Sequence, residues 1–143
     1  MASKNGVKLL KEIFKTFTNT GTFNRVASKC QVVDGSPGRC VCELRVEEEH
    51  ENSQGTLHGG LTATLIDIVS TAALVNTERG HPGVSVDMNI TYMRAARLGE
   101  TVVFDAQVLR QGRTLAFTTV DVRRKSDNQL LAQGRHTKAF PGS

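Results

Sequence analysis

The sequence has 143 residues, of which 38% are hydrophobic and 22% charged, as in one ordinary globular domain. Its longest strongly apolar run, residues 61–75, is interrupted by Asp67. That run is shorter than the ~20 residues of a membrane-spanning helix, so we expect no transmembrane segment. We therefore expect a single domain over residues 1–143.

The three cysteines cannot all pair with one another, which favours a reducing compartment. Cys40 and Cys42 are one residue apart, and no second Cys/His pair follows them along the chain. The four histidines are scattered, so we expect no metal site.

The net charge of +4 is unevenly distributed. Residues 1–30 carry six basic groups and one acidic group, and residues 94–143 carry nine basic groups and four acidic groups. Residues 31–93 between them carry three basic groups and nine acidic groups. One tyrosine and no tryptophan leave few side chains for stacking on bases, which argues against a nucleic-acid partner. A small anionic ligand held by basic residues of the C-terminal part fits this distribution better.

The first elements are a helix and a hairpin. Apolar residues recur at helical spacing opposite a stripe of lysines, at Val7, Leu10, Ile13, Phe14 and Phe17. This pattern predicts an amphipathic helix that covers the core, and its basic composition leaves a mitochondrial targeting element as an alternative. Residues 26–33 and 39–46, joined by the turn of residues 35–38, predict a β-hairpin.

A second helix is predicted from His58 to about Arg79, with a polar stripe formed by Thr64, Asp67, Ser70 and Thr71. Residues 84–92 alternate as a half-buried strand, with Ser85 opposite the apolar positions. Further strands are predicted at 101–110, 114–124 and 129–138. We expect an α+β fold, in which an antiparallel sheet wraps around the long central helix. The unpaired edge of so small a sheet favours edge-to-edge dimerisation.

The start of the central helix carries the strongest chemical signal. Gly59 and Gly60 lie where the first N–H groups of a helix have no internal partner and the helix dipole is positive. Glycines there let a carbonyl oxygen approach the backbone closely, as an oxyanion hole requires. The alternative is an ordinary helix start with flexible glycines.

Asp67 lies in the middle of a helix of small and apolar residues. A carboxylate in that setting needs a partner or a function, unless it is simply exposed on the polar stripe. The sequence has no Gly-x-Ser-x-Gly motif, Ser85 has no base beside it in the sequence, and no Gly-rich phosphate loop occurs. A Ser-His-Asp triad is therefore poorly supported.

The string Asn52-x-x-Gly-Thr-Leu-His58-Gly59-Gly60, the following Asp67 and the strand Val84–Asn89 together resemble the hotdog-fold acyl-CoA thioesterases. The resemblance is to the thioesterase superfamily member 2 type, within the phenylacetate-pathway (PaaI-like) group. It covers nearly the whole chain and extends to Gly134–Lys138.

The resemblance implies a reaction that uses no metal or cofactor, and it implies roles for five residues. Asn52 and the Gly59 N–H would polarise the thioester carbonyl. Asp67 would activate water or act as nucleophile, Ser85 would orient the water, and His58 would brace the loop that carries Asn52.

The resemblance also implies a CoA site formed by Ser85, Lys138 and two segments. The segments are Tyr92, Met93, Arg94, Ala95, Ala96 and Arg97, and the hairpin Arg110, Gln111, Gly112, Arg113, Thr114 and Leu115. The four arginines lie at predicted strand ends, where they could converge on the phosphates of CoA.

The function that follows is hydrolysis of medium- to long-chain fatty acyl-CoA to free fatty acid and CoA, with aromatic acyl groups left open. The alternatives are a non-catalytic acyl-CoA or lipid-binding module and an acyl-CoA hydratase or dehydratase on the same fold. We expect a homo-oligomer, a tetramer formed as a dimer of dimers, in the cytoplasm, the mitochondrion or both.

The spacing of two residues predicts how the site is assembled. Gly59 and Asp67 are eight residues apart on one predicted helix. At 1.5 Å per residue that is ~12 Å, too far for both to serve one carbonyl group. We therefore expect each active site to combine two chains.

Overall fold

The computed structural model describes residues 4–142. Two helices and six strands form the fold, in the order α1 (Lys4–Thr18), β1 (Gln31–Ser36), β2 (Arg39–Arg45), α2 (Gly59–Val75), β3 (Val84–Tyr92), β4 (Thr101–Gln111), β5 (Leu115–Arg124) and β6 (Leu130–Ala139). Short 3₁₀ helices at Phe23–Ala27 and Glu48–His50 join these elements.

The six strands form one antiparallel sheet in the order β1-β2-β4-β5-β6-β3. α2 lies across one face, where Leu65, Ile66 and Val69 are fully buried in the same core as Phe104 and Val120. No helix within residues 4–142 is long and apolar enough to cross a membrane. A sheet wrapped around a long helix is the hotdog fold, as expected.

Two predicted boundaries are wrong. The first strand begins at Gln31 rather than near Val26, because residues 23–27 form a 3₁₀ helix. α2 ends at Val75 rather than near Arg79, because Asn76 is held at the β1–β2 turn. Its Nδ2 donates to the Ser36 carbonyl at 2.9 Å, and its own carbonyl accepts the N–H of Gly38 at 2.9 Å.

β3 departs from strict alternation in a way that matters for Ser85. The register with β6 shifts between Ser85 and Asp87, so Val86 is an extra residue. Cross-strand partners point to the same face of a sheet, and Ser85 is paired with the buried Lys138. The bulge therefore turns Ser85 toward α2, whereas the predicted alternation placed it opposite the apolar positions.

β3 is an edge strand that pairs only with β6. Every residue of β3 except the half-buried Ile90 is exposed, including Val84 at 53% and Val86 at 55%. The prediction of a half-buried strand is wrong for the single chain, because nothing covers the outer edge. A row of unpaired backbone groups beside exposed apolar side chains is an edge suited to pairing with a second strand.

α1 docks on the other edge of the sheet through Leu10, which is fully buried. Leu10 packs directly on Gly35 of β1, where a Cβ would overlap the Leu10 side chain and lie 3.0 Å from the Arg39 carbonyl oxygen. The missing side chain at Gly35 is thus what allows the helix to approach the strand.

We expect Gly35→Ala to destabilise the fold by about 1–3 kcal/mol, the usual cost of overpacking a core. Thermal or urea unfolding would measure the loss. Gly21→Ala is the matched control, because a Cβ at Gly21 meets no atom within 4 Å. Equal unfolding midpoints for the two variants would contradict this view of α1 docking.

Candidate active site

The start of α2 presents one free backbone donor. His58 is the N-cap, and its Nδ1 accepts the N–H of Gly60 at 2.9 Å. The N–H of Gly59 has no acceptor in the described part of the chain. Because this N–H lies at the positive end of the helix dipole, it can donate to a carbonyl oxygen that develops negative charge.

His58 acts on the helix rather than directly on the Asn52 loop. Its side chain caps α2, and its backbone N–H donates to the His50 carbonyl at 2.9 Å. The predicted bracing of the Asn52 loop is therefore indirect, through the 3₁₀ helix that ends at His50.

The Asn52 amide is held in one orientation. Its Oδ1 accepts the backbone N–H groups of Gln54 at 2.9 Å and Thr56 at 3.2 Å. Its Nδ2 donates to Thr56 Oγ1 at 2.9 Å, which leaves one amide hydrogen without an acceptor in residues 4–142. We call Asn52 and Gly59 the carbonyl half-site.

Tyr92 ties the end of β3 to this half-site. Its hydroxyl donates to the Gly59 carbonyl at 2.7 Å, and burial raises its pKa. The following segment stays close, because the Leu57 N–H donates to the Ala96 carbonyl at 2.8 Å. The first predicted CoA segment, Tyr92–Arg97, therefore borders the carbonyl half-site.

A second group of polar side chains lies two helical turns along α2. Asp67 is half exposed, and its Oδ1 is 3.9 Å from Nδ1 of His136 on β6. Ser85 Oγ is 2.7 Å from the other ring nitrogen, Nε2. We call Asp67 and Ser85, with His136 between them, the water half-site.

His136 is the site residue that the sequence did not reveal. Ser85 has no histidine beside it in the sequence, but β6 supplies one as a hydrogen-bond partner from 51 residues away. Side chains alternate between the two faces of a strand, and His136 and Lys138 are each an even number of residues from the buried Ala132 on β6. This alternation was the signal that could have placed both side chains on the inner face.

Lys138 is directed inward rather than to solvent. The residue is 5% exposed, and its Nζ donates to Thr71 Oγ1 on α2 at 3.0 Å. Burial lowers its pKa, and the Asp67 carboxylate partly opposes that effect. In a single chain this ammonium is positioned beside the water half-site rather than at the surface for CoA.

The polar stripe predicted on α2 is wrong for one residue. Ser70 is 1% exposed instead of facing solvent, because its Oγ is hydrogen-bonded to His136 Nδ1 at 2.8 Å. Asp67 and Thr64 do lie at the surface of the chain, at least in part.

The two half-sites cannot meet within one chain. Gly59 and Asp67 are on one continuous helix, eight residues or ~12 Å apart. The second predicted CoA segment, the β4–β5 turn at Arg110–Leu115, is also remote from the carbonyl half-site. It follows the far end of β4, an 11-residue strand about 33 Å long at 3.3 Å per residue, whereas Arg97 precedes the near end.

Arg94, Arg97, Arg110 and Arg113 are all exposed. One chain thus brings Arg94 and Arg97 to the carbonyl half-site and places Arg110 and Arg113 beyond the water half-site. Their predicted convergence on one CoA molecule requires a second chain.

An apolar groove of about 470 Å³ opens beside the carbonyl half-site. Phe23, Val26 and Leu61 supply its apolar wall, next to His58 and Gly60 at the start of α2. The rest of the lining is polar and consists of Arg25, Glu49, His50 and Glu51. Phe23 is 69% exposed and contributes apolar surface to this groove.

Residues 4–142 contain no group of three or more His, Cys, Asp or Glu side chains arranged to hold a metal ion. The available chemistry comes from two free N–H donors for a carbonyl oxygen and from a carboxylate with a hydroxyl for a water molecule. Donors of the first kind and a base of the second kind are what hydrolysis of an acyl group requires.

Comparison with known proteins agrees with this geometry. The family model "Thioesterase superfamily" matches residues 54–131. The chain is 60% identical to human acyl-coenzyme A thioesterase 13 over 129 residues, covering 90% of this chain and 92% of the relative. The crystal structure of zebra fish thioesterase superfamily member 2 superimposes with a TM-score of 0.91 at 56% identity, covering 93% and 96% of the two chains.

A more distant neighbour is a Streptococcus mutans protein whose crystal structure is bound to acetyl CoA. It shares 26% identity at a TM-score of 0.72, over 78% of this chain and 88% of the other. The fold, the matched segment and these identities together show that the chain belongs to the thioesterase superfamily.

Proposed function

We propose that the protein is an acyl-CoA thioesterase that hydrolyses medium- to long-chain fatty acyl-CoA to free fatty acid and CoA. The observation that carries the proposal is the free Gly59 N–H at the start of α2, beside the oriented amide of Asn52. The human relative named acyl-coenzyme A thioesterase 13 and the neighbour bound to acetyl CoA support the substrate class.

The reaction follows from the two half-sites. The thioester oxygen accepts hydrogen bonds from the Gly59 N–H and from Asn52 Nδ2. A water molecule held by Asp67 and Ser85 attacks the carbonyl carbon, and its proton passes to the Asp67 carboxylate. Collapse of the tetrahedral intermediate breaks the C–S bond, and the proton from Asp67 neutralises the departing thiolate.

Pairing of β3 with its counterpart in a second copy would complete the site. An antiparallel two-fold pair of β3 strands brings the Tyr92 end of one chain beside the Val84 end of the other. The carbonyl half-site of one protomer then faces the water half-site of its partner. A dimer has two such sites, and the expected tetramer would be a pair of these dimers.

The same pairing unites the CoA segments. Tyr92–Arg97 borders the carbonyl half-site, and Arg110–Leu115 lies near the end of β6 at Lys138, which pairs with Ala116. Across the two-fold axis, the arginines of both segments would face one phosphate-bearing ligand.

The apolar groove is the proposed seat of the acyl chain. Its lining includes Gly60, one residue from the carbonyl donor, and the apolar side chains of Phe23, Val26 and Leu61. Each buried methylene of the substrate would contribute about 0.8 kcal/mol to binding until the groove is filled. This favours chains longer than acetyl.

Asp67→Asn should lower kcat by about 10²-fold or more, because the carboxylate that accepts the proton from water is removed. Thiol release from an acetyl- to palmitoyl-CoA series would measure the loss and the chain-length preference. Glu12→Gln, an exposed carboxylate on α1, is the matched control and should be fully active.

Failure of the wild-type protein to release thiol from any chain length would contradict the thioesterase proposal. A binding module would retain acyl-CoA affinity with no turnover, and a hydratase would change the acyl chain without releasing CoA. Turnover by Asp67→Asn within a few-fold of wild type would leave hydrolysis intact but remove Asp67 from the mechanism.

Alanine variants of Arg94, Arg97, Arg110 and Arg113 should raise KM with little change in kcat, because phosphate contacts persist from ground state to transition state. KM should also rise with ionic strength. Lys8→Ala removes the same charge from the exposed face of α1, at the opposite edge of the sheet, and serves as control. A KM that is flat across a salt titration would argue against this phosphate contact.

Co-refolding of Asn52→Ala with Asp67→Ala should restore activity. Mixed dimers hold one doubly damaged site and one intact site, and random pairing makes half of the dimers mixed. About a quarter of wild-type activity should therefore return. A mixture that stays inactive, although mass spectrometry shows mixed dimers, would place the whole site within one chain.

A further inference from the structure

His136 is buried among three elements and takes no direct part in the proposed reaction. The residue is 1% exposed on β6. Its Nδ1 is hydrogen-bonded to Ser70 Oγ of α2 at 2.8 Å, and its Nε2 to Ser85 Oγ of β3 at 2.7 Å. Both ring nitrogens therefore contact hydroxyl groups, and neither faces solvent.

The α2 side supplies a second acceptor that favours one direction for these hydrogen bonds. Ser70 Oγ lies 3.1 Å from the Asp67 carbonyl oxygen, which can only accept, and 2.8 Å from His136 Nδ1, which donates or accepts according to the tautomer. Both contacts are hydrogen bonds at once when Ser70 donates to the carbonyl and accepts from His136, which places the ring hydrogen on Nδ1. In that tautomer Nε2 of the neutral ring is a bare acceptor, and the Ser85 hydroxyl donates to it.

The surroundings keep the ring neutral. Burial lowers the pKa of His136 most, and the Lys138 ammonium on the same strand lowers it further. Asp67 on α2 and Asp87 on β3 oppose these effects without reversing them. A charged imidazolium is thus disfavoured, which also makes His136 a poor base for turning Ser85 into a nucleophile.

We propose that His136 is a positioning residue that makes Ser85 Oγ a pure hydrogen-bond acceptor toward the attacking water. This inference rests on the proposed thioesterase function. With its proton committed to Nε2, Ser85 offers only lone pairs, so the water must donate one hydrogen to Ser85 and the other to Asp67. The oxygen lone pair of the water is then directed at the thioester carbon.

The chemical step stays balanced with this arrangement. The water oxygen forms the new C–O bond, one water proton passes to Asp67, and the C–S bond breaks to release the thiolate. His136 neither gains nor loses a proton, and Ser85 keeps its own.

The test is a double-mutant cycle between His136 and Ser85, measured as kcat and KM on one acyl-CoA. His136→Leu should lower kcat by about 10- to 100-fold with KM nearly unchanged, because the water loses its orientation. His136→Gln should retain more activity, since its amide oxygen can accept the Ser85 proton. In a Ser85→Ala background, Leu and Gln at position 136 should give equal kcat values.

If His136 had only a structural role, its substitution would lower kcat by the same factor with Ser85 present and in the Ser85→Ala background. Such additive losses of kcat in an active enzyme would overturn the inference and leave the thioesterase proposal intact. Acylated Ser85, detected by mass spectrometry after rapid quenching, would overturn it too. Absence of thiol release by the wild-type protein would overturn both.

A measurement on the wild-type protein avoids any folding defect of the variants. Nitrogen-15 NMR of labelled histidines, with the His136 signals assigned by comparison with His136→Gln, reports which ring nitrogen carries the proton. The expected form at neutral pH has hydrogen on Nδ1 and none on Nε2. Hydrogen on Nε2, alone or together with Nδ1, would contradict the proposed role.

Discussion

A rigid α-helix sets the distance on which this enzyme is built. Gly59 and Asp67 belong to the same uninterrupted helix, α2, so their separation of eight residues cannot change without breaking backbone hydrogen bonds. One chain can therefore hold a carbonyl group at Gly59 or place a water molecule at Asp67, but it cannot do both to one substrate. The proposed reaction therefore requires a second copy of the helix that runs in the opposite direction.

The edge strand β3 is the part of the fold suited to supply that second copy. The Tyr92 hydroxyl at one end of β3 donates a hydrogen bond to the Gly59 carbonyl. The Val84 end carries Ser85, which lies beside His136. The strand thus connects the two half-sites of its own chain, and a two-fold pairing through it would bring the unlike half-sites of two chains together. Its exposed apolar residues and unpaired backbone are consistent with such an interface.

The sequence predicted most of the architecture because hydrophobic periodicity is strong in these elements. β3 was predicted at its exact bounds, and the other long elements within a few residues. The start of β1 and the end of α2 were missed, since a 3₁₀ helix and the tertiary anchoring of Asn76 decide them. Neither feature leaves a periodic pattern.

The site was predictable only where its chemistry is local. Gly59 and Asn52 lie in one motif, and Asp67 is conspicuous in an apolar helix. His136 was missed because its contacts with Ser70 and Ser85 join residues more than 50 positions apart. The inward turn of Ser85 depends on a β-bulge, a backbone irregularity that alternation alone could not predict.

The two-chain site is tested most directly by a crystal structure with an acyl-CoA analogue in which a ketone replaces the thioester. The ketone oxygen should lie within hydrogen-bond distance of the Gly59 N–H and of Asn52 Nδ2 in one protomer. The carboxylate nearest the ketone carbon should be Asp67 of the partner subunit, across a two-fold pair of β3 strands. A ketone held between Gly59 and Asp67 of the same chain would contradict the central claim.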